Sequence, residues 1–162
     1  SLVKELSLKD GKLYQTPVKG IEKLRQSSLP FNKYIKNTSN CYELNLKLEG
    51  EMVHELILFS DKDGNGLSLI FNLVDGEVVV DRSKVGENFA TEFSSVRTAP
   101  IAPADTTARI FIDNSVFEIF INDGEMVFSG RVFPREDQTH ISILQGDPTG
   151  VYYPLLTFTN PN

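Results

Sequence analysis

The chain has 162 residues, a formal net charge of −6, 40% hydrophobic and 23% charged residues, one Cys and no Trp. That length and apolar content suit one folded domain with its own core and exclude intrinsic disorder, while a single cysteine excludes a disulfide framework. The acidic balance excludes a groove of clustered Lys and Arg for nucleic acid, and no apolar run approaches the roughly 20 residues of a membrane span.

In chain order, residues 1–35 read as a connector. Leu2, Leu6, Leu8, Leu13 and Tyr14 form a hairpin-like unit around Asp10-Gly11, followed by a polar segment holding Pro17, Gly20 and Pro30. Residues 18–26 carry the one helical hint, one or two turns at most. The start at Ser1 rather than Met fits a piece of a longer protein, with another domain expected upstream.

From residue 36 to 162 the pattern is that of strands. Tyr42, Leu44, Leu46 and Leu48 alternate with Glu43, Asn45, Lys47 and Glu49, as a half-buried strand requires. Residues 56–59 are apolar on both faces and predict a central strand. Leu67, Leu69, Phe71 and Leu73 follow, then Val78, Val79 and Val80, and then runs at 109–113, 116–122, 126–133, 140–145 and 151–158. Asp63-Gly64, Asn65-Gly66, Asp75-Gly76 and Asp123-Gly124 punctuate them, because glycine supplies the positive φ that tight hairpins need. Pro100 and Pro103 place a crossover loop at 98–107. The predicted fold is all-β, a two-sheet antiparallel β-sandwich with a short N-terminal connector.

Few residues offer chemistry. Cys41 has only His54 and His140 as prospective bases, and no zinc-ligand spacing is present, so no metal and no cofactor are expected. Asp61-Lys62-Asp63-Gly64-Asn65-Gly66 matches the first half of a calcium loop, but position twelve is Asn72 where a Glu is needed. A polar hairpin loop is the preferred reading. Asn37-Thr38-Ser39 is a glycosylation sequon, meaningful only in a secreted protein. If Asn114-Ser115 is a hairpin turn, Asp113 opposes Val116, Phe111 opposes Glu118, and Arg109, Asp113 and Glu118 share a face. Such carboxylates could be a glycosidase pair, or an ion-paired cluster with Arg109.

The same segment carries a family motif. Asp113, Ser115, Glu118 and Phe120, the Asn-Asp-Gly-Glu turn at 122–125, and Arg131 before Phe133-Pro134 resemble the C-terminal sandwich of glycoside hydrolase family 32, the family of invertases, sucrose-6-phosphate hydrolases and fructan hydrolases. Glu5-Leu6, Leu13, Gln15, Pro17, Val18, Leu24 and Arg25 look like that family's junction, and Asp81-Arg82-Ser83 like a further family element. Lys4 stands where Arg is usual and Gly20 where Glu is usual.

The resemblance implies a concanavalin-like jelly roll that follows a catalytic propeller. The motifs of that propeller are absent from this chain, so no catalytic residue is carried over, and Asp113, Ser115, Glu118 and Phe120 are structural. The implied role is an accessory domain of a retaining β-fructofuranosidase, bracing the propeller and aiding a homodimer. Leu13, Tyr14, Gln15, Tyr152 and Tyr153 are the candidate interface. The parent is expected to be a cytoplasmic bacterial sucrose-6-phosphate hydrolase, or a secreted invertase or fructanase. No nucleic acid or membrane partner is expected. The competing reading is a carbohydrate-binding module resting on Tyr34, Tyr42, Tyr152 or Tyr153.

Overall fold

The computed structural model describes residues 2–31, 33–36 and 38–157. A hairpin of β1 (Lys4–Lys9) and β2 (Lys12–Pro17) opens the chain. A 3-10 turn at Ile21–Leu24 and two short strands, β3 (Leu29–Pro30) and β4 (Tyr34–Ile35), follow. The body comprises β5 (Cys41–Leu48), β6 (Val53–Ser60), β7 (Leu67–Asn72), β8 (Glu77–Asp81), β9 (Val96–Pro100), β10 (Thr106–Asp113), β11 (Val116–Ile121), β12 (Met126–Arg131), β13 (His140–Gln145) and β14 (Thr149–Pro154). They form two six-stranded sheets, ordered β12-β11-β10-β5-β14-β3 and β4-β13-β6-β7-β8-β9, with every pairing antiparallel. The all-β, two-sheet sandwich expected from the alternating pattern is the observed architecture.

The core lies between the sheets. Leu44, Leu46 and Leu48 of β5 and Ile110 and Ile112 of β10 meet Leu56, Leu58, Leu69 and Phe71 of the opposite sheet, all fully or almost fully buried. Phe117, Ile119 and Ile121 of β11 extend it, and Gly130 opposite Phe117 leaves room for that ring. Burial on this scale contributes about 1.5–3 kcal/mol for each large aliphatic or aromatic side chain. The connecting loops have their own fastener. Gln138 is fully buried, accepts the amides of Gly86 and Arg135, and donates to the carbonyls of Asn65 and Lys84.

The differences from the sequence pattern have local causes. The 98–107 crossover is half strand, because β9 runs to Pro100. As the last strand of its sheet it tolerates a proline, whose missing N–H would break an interior ladder. The last run stops at Pro154 in the ladder, and Phe158, its expected end, lies outside the described residues. Asn37 of the sequon lies outside them too. The helical hint at 18–26 resolves into the 3-10 turn at Ile21–Leu24. Its preceding Gly20 has φ 89° with open space where a β-carbon would stand, so the left-handed backbone alone would strain a larger residue there.

Candidate functional site: the seam between connector and sheet

Strand β5 is buried on both faces at its start. On the side away from the core, Cys41 and Glu43 of β5, Arg109, Phe111 and Asp113 of β10, and Val116, Glu118 and Phe120 of β11 stand in register. The hairpin turn at Asn114-Ser115 is as expected: Asp113 opposes Val116, Phe111 opposes Glu118, and Asn114 has φ 50°. This outer face is not left to water. Leu2, Ile21 and Leu24 of the connector pack over a second apolar cluster of Cys41, Phe111, Phe120 and Leu155. Phe111 and Phe120 meet edge to face, with ring centres 6.0 Å apart.

Two carboxylates lie under that cover. Glu43 is 0% exposed. Its Oε2 accepts Arg25 Nε at 2.8 Å, and its Oε1 accepts Arg25 Nη2 at 2.7 Å and Arg109 Nε at 2.5 Å. With its amide nitrogen turned toward Glu43, Asn45 adds a bond of 2.9 Å to Oε1. A forked guanidinium–carboxylate pair is among the strongest polar contacts and demands this geometry. Arg25 also lies 4.2 Å from the centre of the Tyr153 ring, and its guanidinium is held more firmly protonated by the bond to Glu43, against the effect of burial. Arg109 reaches on to Glu22 Oε1 at 3.0 Å. The Glu22 carboxyl sits below its ordinary range, first through a hydrogen bond with its own backbone amide, with burial opposing, and then through Arg109.

Glu118, 1% exposed, is the second anchor. Lys4 Nζ lies 2.6 Å from its Oε2, Ser129 Oγ donates to the same oxygen at 3.3 Å, and the backbone N–H of Leu2 donates to its Oε1 at 2.7 Å. The entry of the chain is therefore fastened to the motif glutamate. Arg25 bridges to Leu155, and the amides of Gln26 and Leu156 bond to the carbonyls of Pro154 and Leu24, so the far end of the connector is laced to the end of β14. At the other end of the hairpin, Asn122, Asp123 and Gly124 all have positive φ, and a β-carbon on Gly124 would fall on the carbonyl oxygen of Gln15.

Of the four motif residues, Glu118 and Phe120 are buried in the seam, whereas Asp113 stands exposed at the rim, accepting Asn114 Nδ2 at 3.0 Å. Ser115 acts through its carbonyl, which accepts the amide of Val132. Arg109 does share a face with Asp113 and Glu118, but its ion pairs run to Glu43 and Glu22. Glu43 and Glu22 were the partners that spacing within one hairpin could not reveal.

Among the interface candidates, Leu13 is exposed, Tyr14 is half-buried beneath the Lys9 ammonium at 5.2 Å, and Gln15 meets Gly124. Tyr152 requires correction. It is a core residue whose ring lies 5.3 Å from Tyr42, so it has no surface to offer, because period two turns it inward while Tyr153 faces the connector. The four tyrosines considered for sugar stacking are thus divided. Tyr42 and Tyr152 are buried, Tyr153 lies against Arg25, and Tyr34 remains exposed beside His140.

The remaining chemistry is accounted for by the fold. Cys41 belongs to the first sheet, whereas His54 and His140 belong to the second. Burial pushes the Cys41 thiol up, with Asp113 adding to the effect, which disfavours the reactive thiolate. His54 is held between the Glu49 carbonyl and the amide of Asp147. In the calcium-like loop, Asp61 accepts the amides of Asp63 and Asn65 and pairs with Arg135 at 2.7 Å. Its carboxyl is lowered because those bonds and Arg135 outweigh its burial. Among the described residues no three His, Cys, Asp or Glu converge on a metal position.

Known proteins resemble this chain in sequence and fold. The family model described as "Glycosyl hydrolases family 32 C terminal" matches residues 9–153. A sucrose-6-phosphate hydrolase of Streptococcus mutans serotype c is 50% identical over 155 residues, covering 96% of this chain and 32% of that relative. The solved sucrose-6-phosphate hydrolase of Lactobacillus gasseri superposes with a TM-score of 0.91 at 32% identity, over 96% of this chain and 33% of that one. An exo-inulinase of Aspergillus awamori, at 18% identity and a TM-score of 0.77 over 95% of this chain and 35% of its own, shares the fold. The chain thus spans about a third of these proteins.

Proposed function

As this chain belongs to glycosyl hydrolase family 32 and matches the C-terminal model of that family, we propose that it is the non-catalytic sandwich domain of a larger β-fructofuranosidase, a bacterial, cytoplasmic sucrose-6-phosphate hydrolase. In that enzyme the domain follows the catalytic unit, braces it through the β1–β2 hairpin and supports a homodimer. The observation that carries the reading is the fate of the two buried outer-face carboxylates. Glu43 and Glu118 are engaged by Arg25, Arg109, Lys4 and the Leu2 amide, so they serve as anchors for the connector rather than as an acid and a nucleophile.

The hairpin supplies a surface for bracing. Lys4, Leu6 and Leu8 share one side with Pro17, Gln15 and Leu13 across the pairing. The Lys4 and Pro17 end of that side rests on the sheet, whereas Leu6, Leu8 and Leu13 beyond it are exposed. Three leucines bare on a two-stranded arm are the composition of a contact surface for a partner. The direct test is hydrolysis of sucrose 6-phosphate by the purified 162-residue chain. No turnover is expected, and release of hexose by this chain alone would overturn the reading.

A further inference from the structure

The chain has six arginines. Arg25, Arg109 and Arg135 each form ion pairs, with Glu43, with Glu43 and Glu22, and with Asp61 and Asp137. Arg82, Arg97 and Arg131 form none among the described residues, and all three line one open pocket of about 360 Å³. No Asp, Glu or Lys lines that pocket. Its other side chains include Phe89 and Phe93, and Phe89 meets Phe133 edge to face at 5.1 Å. Phe93 and Phe133 are 68% and 49% exposed.

The pocket lies between β12 and β9, the last strands of their respective sheets. It also takes one arginine from each of two motifs that the seam does not use, Arg82 from Asp81-Arg82-Ser83 and Arg131 from the run that ends in Phe133-Pro134. Its wall is held in place from within. Arg82 Nη2 donates to the Ala90 carbonyl, Arg97 Nη1 donates to the carbonyls of Ser94 and Val96, and Arg82 lies 4.4 Å from the centre of the Phe89 ring.

Exposed phenylalanines with arginines, and no lysine or acid among them, are the composition of the energetically dominant centre of a protein interface. In a chain of net charge −6, three guanidiniums without counter-ions in one pocket call for carboxylates from outside. We infer that this pocket seats a carboxylate-bearing apolar surface of the catalytic domain that precedes the chain, an inference that rests on the function proposed above. Two observations choose that occupant. About two-thirds of the length of the matched enzymes lies outside this chain. The chain also enters beside the pocket, because Lys4 Nζ is 3.5 Å from Ser129 Oγ, and Ser129 lines the pocket.

Hydrogen–deuterium exchange on the longer enzyme, compared with the 162-residue chain, tests the assignment. In the longer enzyme, amides of residues 89–97 and 129–133 are expected to exchange ~10-fold slower, together with those of the hairpin at 4–17. The variant Arg131→Glu, whose side chain makes no hydrogen bond among the described residues, is expected to lose the protection at the pocket and keep that of the hairpin. Equal exchange at the pocket with a protected hairpin overturns this inference and leaves the proposed function standing. Equal exchange at both overturns the two together. Pocket protection that survives Arg131→Glu, or that appears in the 162-residue chain as its concentration rises, also overturns the inference, the latter by assigning the face to a second copy.

Discussion

Glu43 and Leu44 are neighbours on β5, point to opposite faces and are both 0% exposed. Leu44 is covered by the opposite sheet through apolar packing, whereas Glu43 is covered by the connector through two guanidiniums. The two regions hold by different rules. Apolar burial is non-directional and tolerates a shift in the covering element. A forked ion pair tolerates very little, and a carboxylate left alone in the same place is costly. The core therefore secures the sandwich, and the seam sets where the connector lies and how the chain enters. That second task matters under the proposed bracing role, which needs a fixed pose against an upstream partner.

The sharpest way to break this comparison is to truncate both residues. Leu44→Ala is expected to lose about 2–5 kcal/mol of stability by leaving a cavity. Glu43→Ala should lose a comparable amount, about 3–5 kcal/mol, by stranding Arg25 and Arg109. Urea unfolding measures both. Replacing Glu43, Arg25 and Arg109 together by Met should recover the stability to within about 1 kcal/mol of the original, since buried ion pairs exchange for apolar packing at little net cost. No compensating substitution of charge should rescue Leu44→Ala. A triple-Met chain as unstable as Glu43→Ala would show that the seam depends on more than pairing.

A smaller effect is expected where the hairpin is pinned. Gly124→Ala should cost about 1–2 kcal/mol for the left-handed backbone alone, and its β-carbon would also displace Gln15. Loss of the nuclear Overhauser contacts between the 122–124 turn and β2, with the core spectrum preserved, would localise the damage to the seam. Smaller still is Tyr42→Phe. The hydroxyl of Tyr42 is buried and makes no hydrogen bond, and burial drives its proton loss well above the ordinary value of 10.0. Its removal should leave stability unchanged or raised by up to about 1 kcal/mol in thermal unfolding.

The least effect is a change of pH response. The folded-state pKa of Glu22 lies below its ordinary 4.5, so its contribution is fully present above that value and is lost as pH falls through the lower folded one. Glu22→Gln should flatten the fall in stability between about pH 5 and 3, whereas Leu44→Ala should leave that slope as it was. Equal slopes in Glu22→Gln and the unaltered chain would separate Glu22 from the seam's electrostatics.

The inner face was legible where the sequence alternates with period two, and Tyr42, Leu44, Leu46 and Leu48 of β5 and Leu67, Leu69 and Phe71 of β7 all go to the core. The outer face was not, because the same rule assigns Glu43 and Glu118 to water. The residues that cover them come from the connector, 18 and 114 positions away in the case of Arg25 and Lys4. The motif spanning Asp113 to Phe120 pointed to the right hairpin, and the expected facing of Phe111 and Glu118 was met. Its partners could not be read from local spacing, which carries no information on a crossing segment. Tyr152 and Tyr153 were read together as surface, although adjacent residues of a strand face opposite ways. Gln138, which ties three loops through four hydrogen bonds, carries no signal of periodicity at all.

Calorimetry of the longer enzyme is the most direct test of whether this domain is a brace. If the hairpin and the seam hold the sandwich firmly to its upstream partner, heating should give one cooperative transition for both domains. Leu6→Asp with Leu13→Asp should then split it into two, the later or earlier one matching the 162-residue chain alone. Two independent transitions in the unaltered enzyme, with the second at the midpoint of the isolated chain, would contradict the account.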